Sequence, residues 1–169
     1  MPGESLPALV FELADRLRAR GWRLACAESC TGGMIAAACT ELAGSSDWFE
    51  RGVVSYSNAA KTDMLGVPAA LLATHGAVSE AVARAMVEGM QRASDSDLAV
   101  SVTGIAGPSG GSPAKPVGTV WFGFAVRDAA GRVRASTEQR RFDGDRAQVR
   151  AATVAHALRE LVQLAREAA

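Results

Sequence analysis

Hydrolysing an amide with a serine requires a base that can hold the hydroxyl proton, and in this chain an uncharged amine has few sources. Of eighteen basic side chains only two are lysine, Lys61 and Lys115, and the rest are arginine. Arginine does not release its proton near neutrality, so a task needing a neutral amine falls to one of those two. Lys61 stands early in a short helical stretch, where the helix dipole disfavours positive charge and burial would lower its pKa further. Ser46 lies fifteen positions before it, with Ser45 adjacent, and Tyr56, the only tyrosine, lies between. Ser46 and Lys61 form the sharpest nucleophile–base pair, although an isolated serine and lysine are ordinarily surface residues.

Two further stretches have ligand-binding character. Ser29, Thr31, Gly32 and Gly33 lie at a loop-to-helix junction, where free amides suit a phosphate or carboxylate. The plain alternative is a helix cap followed by glycines for a sharp turn. Thr103 ends an apolar run and opens the glycine-rich loop Gly104–Gly111, which matches no standard phosphate-loop pattern but permits close approach of backbone to a ligand. Arg146 stands at the start of the last helical segment. His156 lies among Ala155, Ala157 and Leu158 and reads as structural, while His75 precedes Gly76 at a helix end. No His/Cys/carboxylate set has zinc spacing, so no metal is expected.

The elements that must position these residues follow from periodicity. Residues 5–20 put Leu6, Leu9, Val10, Leu13 and Leu17 on one helical face before Gly21. Trp22–Ala27 reads as a buried strand, and a second helix runs to about Leu42. Gly52–Ser57 is strand-like, and Asn58 can cap the helix carrying Lys61. A helix starts at Ser79, and Leu98–Thr103 is a buried strand. Val117–Val126 and Arg132–Phe142 form a hairpin about Asp128–Gly131, before a final amphipathic helix. This alternation predicts an α/β fold with a mixed sheet, helices on both faces and a late antiparallel hairpin, all within one domain over 1–169. In such sheets ligands gather outside the carboxyl ends of the strands.

Composition excludes several function classes. Eighteen acidic residues balance the eighteen basic ones, so the basic excess of a protein that grips a nucleic-acid backbone is missing. No apolar run is long enough to cross a bilayer, and the N-terminal residues lack an export signal's basic start and apolar stretch. Cys26, Cys30 and Cys39, an odd count, read as reduced thiols in a cytoplasmic protein.

Taken together, AESCTGG (27–33), AGSSDWFERGVVSYSNAAK (43–61), LGV (65–67), HGAVSE (75–80), SVTGIAGPSGG (101–111), KPVGTVWFGFA (115–125) and GDR (144–146) resemble the C-terminal domain of the competence/damage-inducible CinA family. The resemblance implies a three-layer α/β/α sandwich with a mixed, mostly parallel sheet. It implies hydrolysis of the carboxamide of nicotinamide mononucleotide to nicotinate mononucleotide and ammonia, without a cofactor. The carry-over places the nucleophile on Ser46 and the base on Lys61. Backbone N–H groups from the 103–107 loop would face the oxyanion. Tyr56, Thr103 and Gly104 would line the substrate site, and Arg146 or the 28–33 helix start would hold the phosphate. Lys115 lies nearby without a catalytic role. A homo-oligomer built through the glycine loop and hairpin is expected. The alternatives are a same-fold hydrolase or binder of another nucleotide, and a non-catalytic partner-binding domain of the competence or damage response.

Overall fold

The computed structural model describes residues 4–168; Met1–Gly3, on which part of the export-signal reading rests, lie outside them. The order of elements is α1 (Leu6–Arg20), β1 (Leu24–Glu28), α2 (Met34–Thr40), a 3₁₀ turn (Ser45–Asp47), β2 (Phe49–Val54), α3 (Asn58–Leu65), α4 (Ala69–His75), α5 (Glu80–Ser94), β3 (Leu98–Gly104), β4 (Thr119–Arg127), β5 (Val133–Arg141) and α6 (Arg146–Glu167). One five-stranded sheet runs β2-β1-β3-β4-β5. β1 pairs in parallel with β2 and β3, while β4 is antiparallel to both β3 and β5. Four strands therefore point one way and β4 alone the other, the mixed, mostly parallel sheet anticipated.

Helices cover both faces because the central strands are apolar on both sides. Along β1, Leu24 and Cys26 join the core under α1, α2 and α6, with Leu13, Leu17, Ile35, Phe122 and Leu158. Ala25 and Ala27 join the opposite core under α3 and α5, with Leu65, Val82 and Met86. That period of two, apolar on either phase, is what a doubly covered strand requires. Gly89 on α5 sits against the end of α3, and a Cβ there would collide with the Leu65 carbonyl. This close approach presses the helix bearing Lys61 onto the sheet.

Local chemistry sets the helix ends. Ser5 accepts from Ala8 N at the start of α1, and Gly21 closes it with φ at 65°, a left-handed conformation that suits glycine. Asp145 and Gln148 form a capping box at α6. Several boundaries differ from the sequence reading, among them β1, which runs Leu24–Glu28 rather than Trp22–Ala27, and β4, which runs Thr119–Arg127 rather than Val117–Val126. Ser57, not Asn58, caps α3 by accepting from Ala60 N. β2 starts three residues earlier and ends at Val54, since pairing with β1 begins at Phe49. α4 fills the connection of which only the His75 end was anticipated. No helix among the described residues is long and apolar enough to cross a membrane.

Candidate active site

The chain passes from β1 to β2 on one side, then crosses to β3 on the other, so it reverses direction at the carboxyl ends of β1 and β3. In open α/β sheets that reversal leaves a crevice. Here it holds a cavity of about 230 Å³ lined by Ser29, Cys30, Tyr56, Lys61, Ala77, Val78, Thr103, Gly104, Ala106 and Arg146. Ser29 is the first residue after β1, Lys61 comes from the first turn of α3, and Thr103 and Gly104 end β3.

Lys61 is 1% exposed. Its Nζ lies 3.0 Å from Ser29 Oγ, from the Ser55 carbonyl oxygen and from the Tyr56 carbonyl oxygen. As an ammonium it donates to all three. Once deprotonated it keeps two N–H donors for the two carbonyls, and its lone pair is left facing Ser29 Oγ, whose hydroxyl then donates to it. Burial pushes the Lys61 pKa below its ordinary 10.5, opposed in part by the Cys30 sulfur. A buried serine hydroxyl held against an amine whose charge burial disfavours is an arrangement that serine activation by a neutral base requires.

The turn that presents Ser29 is held by a residue to which the sequence reading gave no role. Glu28 is 1% exposed. Its carboxylate accepts from Thr31 Oγ1 at 2.5 Å, from Ile35 N at 2.9 Å and from Ala36 N at 3.1 Å. An internal carboxylate thus occupies the N-terminus of α2, where the helix dipole favours it. Arg150 braces the same turn from α6, with Nε donating to the Cys30 carbonyl at 3.0 Å. The expectation that the 28–33 helix start holds a phosphate is corrected on this ground, since Glu28 already fills it. Thr31 is buried on Glu28, and Thr31, Gly32 and Gly33 do not line the cavity.

Thr103 is fully buried and donates from Oγ1 to the Ala77 carbonyl at 2.9 Å. Lys115 Nζ donates to the His75 carbonyl at 2.7 Å, so the glycine loop and the 75–78 loop are tied together beside the cavity. Arg146 stands at the mouth, donating to the Gly107 carbonyl at 2.9 Å and to the Tyr56 hydroxyl at 3.2 Å. Arg146 and Tyr56 are both exposed there, leaving the guanidinium open to an anion.

Ser46 is elsewhere. It is exposed in the 3₁₀ turn that precedes β2, beside the end of α1, where Arg18 donates to the Ala43 and Gly44 carbonyls. Lys61 follows β2, so the six-residue strand, roughly 20 Å long at about 3.3 Å per residue, separates them. The pairing of Ser46 with Lys61 is therefore corrected. The chain places Ser46, and Ser45 with it, at the amino ends of the strands and brings Ser29 to Lys61 instead. A larger cleft of about 420 Å³ between α1 and α2 is lined by Leu6, Pro7, Val10, Ala38, Glu41 and Leu42, and offers no serine and no lysine.

The model of the CinA C-terminal domain matches residues 7–165. The chain belongs to that family. Among curated family relatives, the nicotinamide-nucleotide amidohydrolase PncC of Enterobacter agglomerans is 55% identical over 150 residues, covering 89% of each chain. The protein of the same name from Escherichia coli K12 is 50% identical over 163 residues, covering 96% of each. A solved CinA-family structure, the competence damage-inducible protein A of Klebsiella pneumoniae, superposes with a TM-score of 0.91 at 41% identity, over 97% of this chain and 99% of that one. The family's fold is thus the α/β sandwich described above.

Proposed function

We propose that this chain is a nicotinamide-nucleotide amidohydrolase that works through Ser29 and Lys61. The observation that carries the reading is the 3.0 Å contact between Lys61 Nζ and Ser29 Oγ inside the crevice, in a chain half identical over its length to proteins named for that activity. Neutral Lys61 takes the Ser29 proton as Oγ attacks the carboxamide carbon. The oxyanion is met by the Gly104 N–H. Ile105 N donates to Thr119 O across β3–β4, and alternate residues of a strand face opposite neighbours. The Gly104 N–H is therefore turned to the β1 side, where β1 has already ended. One such donor is typically worth about 3 kcal/mol in the transition state. The C–N bond breaks as Lys61 returns its proton to the departing ammonia. Water, deprotonated by Lys61, then cleaves the Ser29 ester to release the nicotinate nucleotide.

The cavity, about 230 Å³, is smaller than the roughly 300–1,000 Å³ of sites that engulf a drug-sized ligand. It suits the pyridine carboxamide, with the sugar passing Tyr56 and the phosphate reaching Arg146. Ser29 and Lys61 come from one chain, so this pairing does not depend on the expected homo-oligomer. The whole chain acts as a single catalytic domain, and the buried, unpaired Cys26, Cys30 and Cys39 accord with a cytoplasmic location.

Ammonia release from nicotinamide mononucleotide tests the proposal. The unmodified protein is expected to release ammonia stoichiometrically with nicotinate mononucleotide. Ser46→Ala, altering an exposed residue distant from Lys61, is expected to keep kcat/KM within about twofold of it. Loss of turnover in that variant would reinstate Ser46. Failure of the unmodified protein on this substrate, with turnover of another amide, would favour the same-fold alternative.

A further inference from the structure

His156 and Glu160 on α6 and Glu138 on β5 are brought together, and none of the three lines the catalytic cavity. His156 is buried against aromatic rings, 4.8 Å from the Phe122 centroid and 6.1 Å from that of Phe142, which fixes the plane and direction of the imidazole. Its Nε2 lies 3.0 Å from Glu138 Oε2 on β5. Glu160 follows one turn after His156 on the same helical face, and one ligand atom from each of the three lies within 4.8 Å of the others. Both glutamates are half-buried. Glu138 uses its other oxygen in an ion pair with Arg140. Glu160 has no hydrogen-bond or ion-pair partner among the described residues. Two carboxylates converging on one imidazole, one of them without a cation, leave a charge deficit that a divalent ion would fill.

We propose that Glu138, His156 and Glu160 form a binding site for a divalent transition-metal ion of the zinc, cobalt or nickel type, linking edge strand β5 to α6. One imidazole nitrogen with two carboxylate oxygens suits these ions, whereas calcium and magnesium favour all-oxygen sets. Ligand atoms about 2.1 Å from such an ion stand roughly 3.4 Å apart in a tetrahedron. The His156–Glu138 spacing of 3.0 Å would open by about 0.4 Å to reach this, and the flexible Glu160 side chain supplies the remaining closure. Three protein ligands leave a position for water. His156 and Glu160 show the i, i+4 spacing of a helical metal clamp, but the third ligand comes from another element. The sequence reading, which sought a local cluster, expected no metal.

The test uses the full chain, stripped of metal by a chelator and titrated with Co²⁺ at pH 7.5. Calorimetry supplies stoichiometry, and cobalt absorption reports the ligand set. One ion per chain with a micromolar Kd is expected, with at least tenfold weaker binding in Glu160→Gln and at least a hundredfold in His156→Gln. Zn²⁺ should raise the Tm of the unmodified protein and leave that of His156→Gln unchanged. Glu160→Gln alters a half-buried, unpaired side chain and keeps the fold, so it decides the matter should His156→Gln unfold. Binding unchanged in Glu160→Gln would remove Glu160 from the ligand set and overturn the three-residue site. So would an absence of saturable binding, which would leave His156 and Glu138 as a simple hydrogen-bonded pair.

Discussion

Replacing Ser29 by alanine is expected to lower kcat on nicotinamide mononucleotide by at least about 10⁴-fold, because the atom that forms the acyl bond is gone. The substrate Kd, measured by calorimetry on the same variant, should change by less than about threefold. Ser29 is one small side chain of the cavity lining, and the proposed pose places the sugar against Tyr56 and the phosphate at Arg146. The variant should fold normally. The turn is fixed by Glu28 through Thr31 Oγ1, Ile35 N and Ala36 N, and by Arg150 through the Cys30 carbonyl, none of which uses the Ser29 hydroxyl. Binding without turnover separates a lost nucleophile from a damaged pocket.

Lys61→Arg and Lys61→Met are each expected to reduce kcat/KM by about 10³-fold or more, the upper range for a general base. Arginine keeps the positive charge but cannot become neutral at working pH. In the unmodified enzyme kcat/KM should climb tenfold per pH unit, then level off at a midpoint below 10.5, since burial lowers the Lys61 pKa from that value. The residual activity of Lys61→Met should lack this limb. Stability follows with a definite sign. The unfolded chain holds the lysine proton up to about 10.5, and the folded chain releases it sooner. Between the two values the unfolded state binds more protons, so folding stability rises with pH across that window. The cost of burying the charge is present in full below it. Lys61→Met should abolish this rise, which a pH series of denaturant midpoints would record.

Much of the fold was legible because the elements advertise themselves. The one-sided leucines of α1, the unbroken apolar run of β3 and the turn after β4 need no tertiary context. The site was legible in its loops, and Lys61, Tyr56, Thr103, Gly104 and Arg146 do meet around one cavity. Ser46 stands apart from Lys61 because strand direction, which neither residue type nor family likeness carries, puts them at opposite ends of β2. Ser29 follows β1, whereas Ser46 precedes β2, and in parallel strands those positions fall at opposite ends of the sheet. The rule that ligands gather at the carboxyl ends, applied to both serines, selects Ser29. Glu28 was hidden for a different reason. Glu28 lies just past the strand read over Trp22–Ala27, and only the return of α2 over β1 shows that its carboxylate caps a helix inside the core.

The most direct test of the Ser29 assignment is to find the acyl group. An activated ester analogue of the nucleotide, whose leaving group needs no proton from Lys61, should acylate the enzyme faster than water clears it. Acid quenching and peptide mass mapping would then locate the adduct. The assignment requires a burst of leaving group and a nicotinoyl-nucleotide mass on the peptide containing Ser29. That mass on the peptide containing Ser45 and Ser46, or burst-free turnover with Ser29 unmodified, would contradict it.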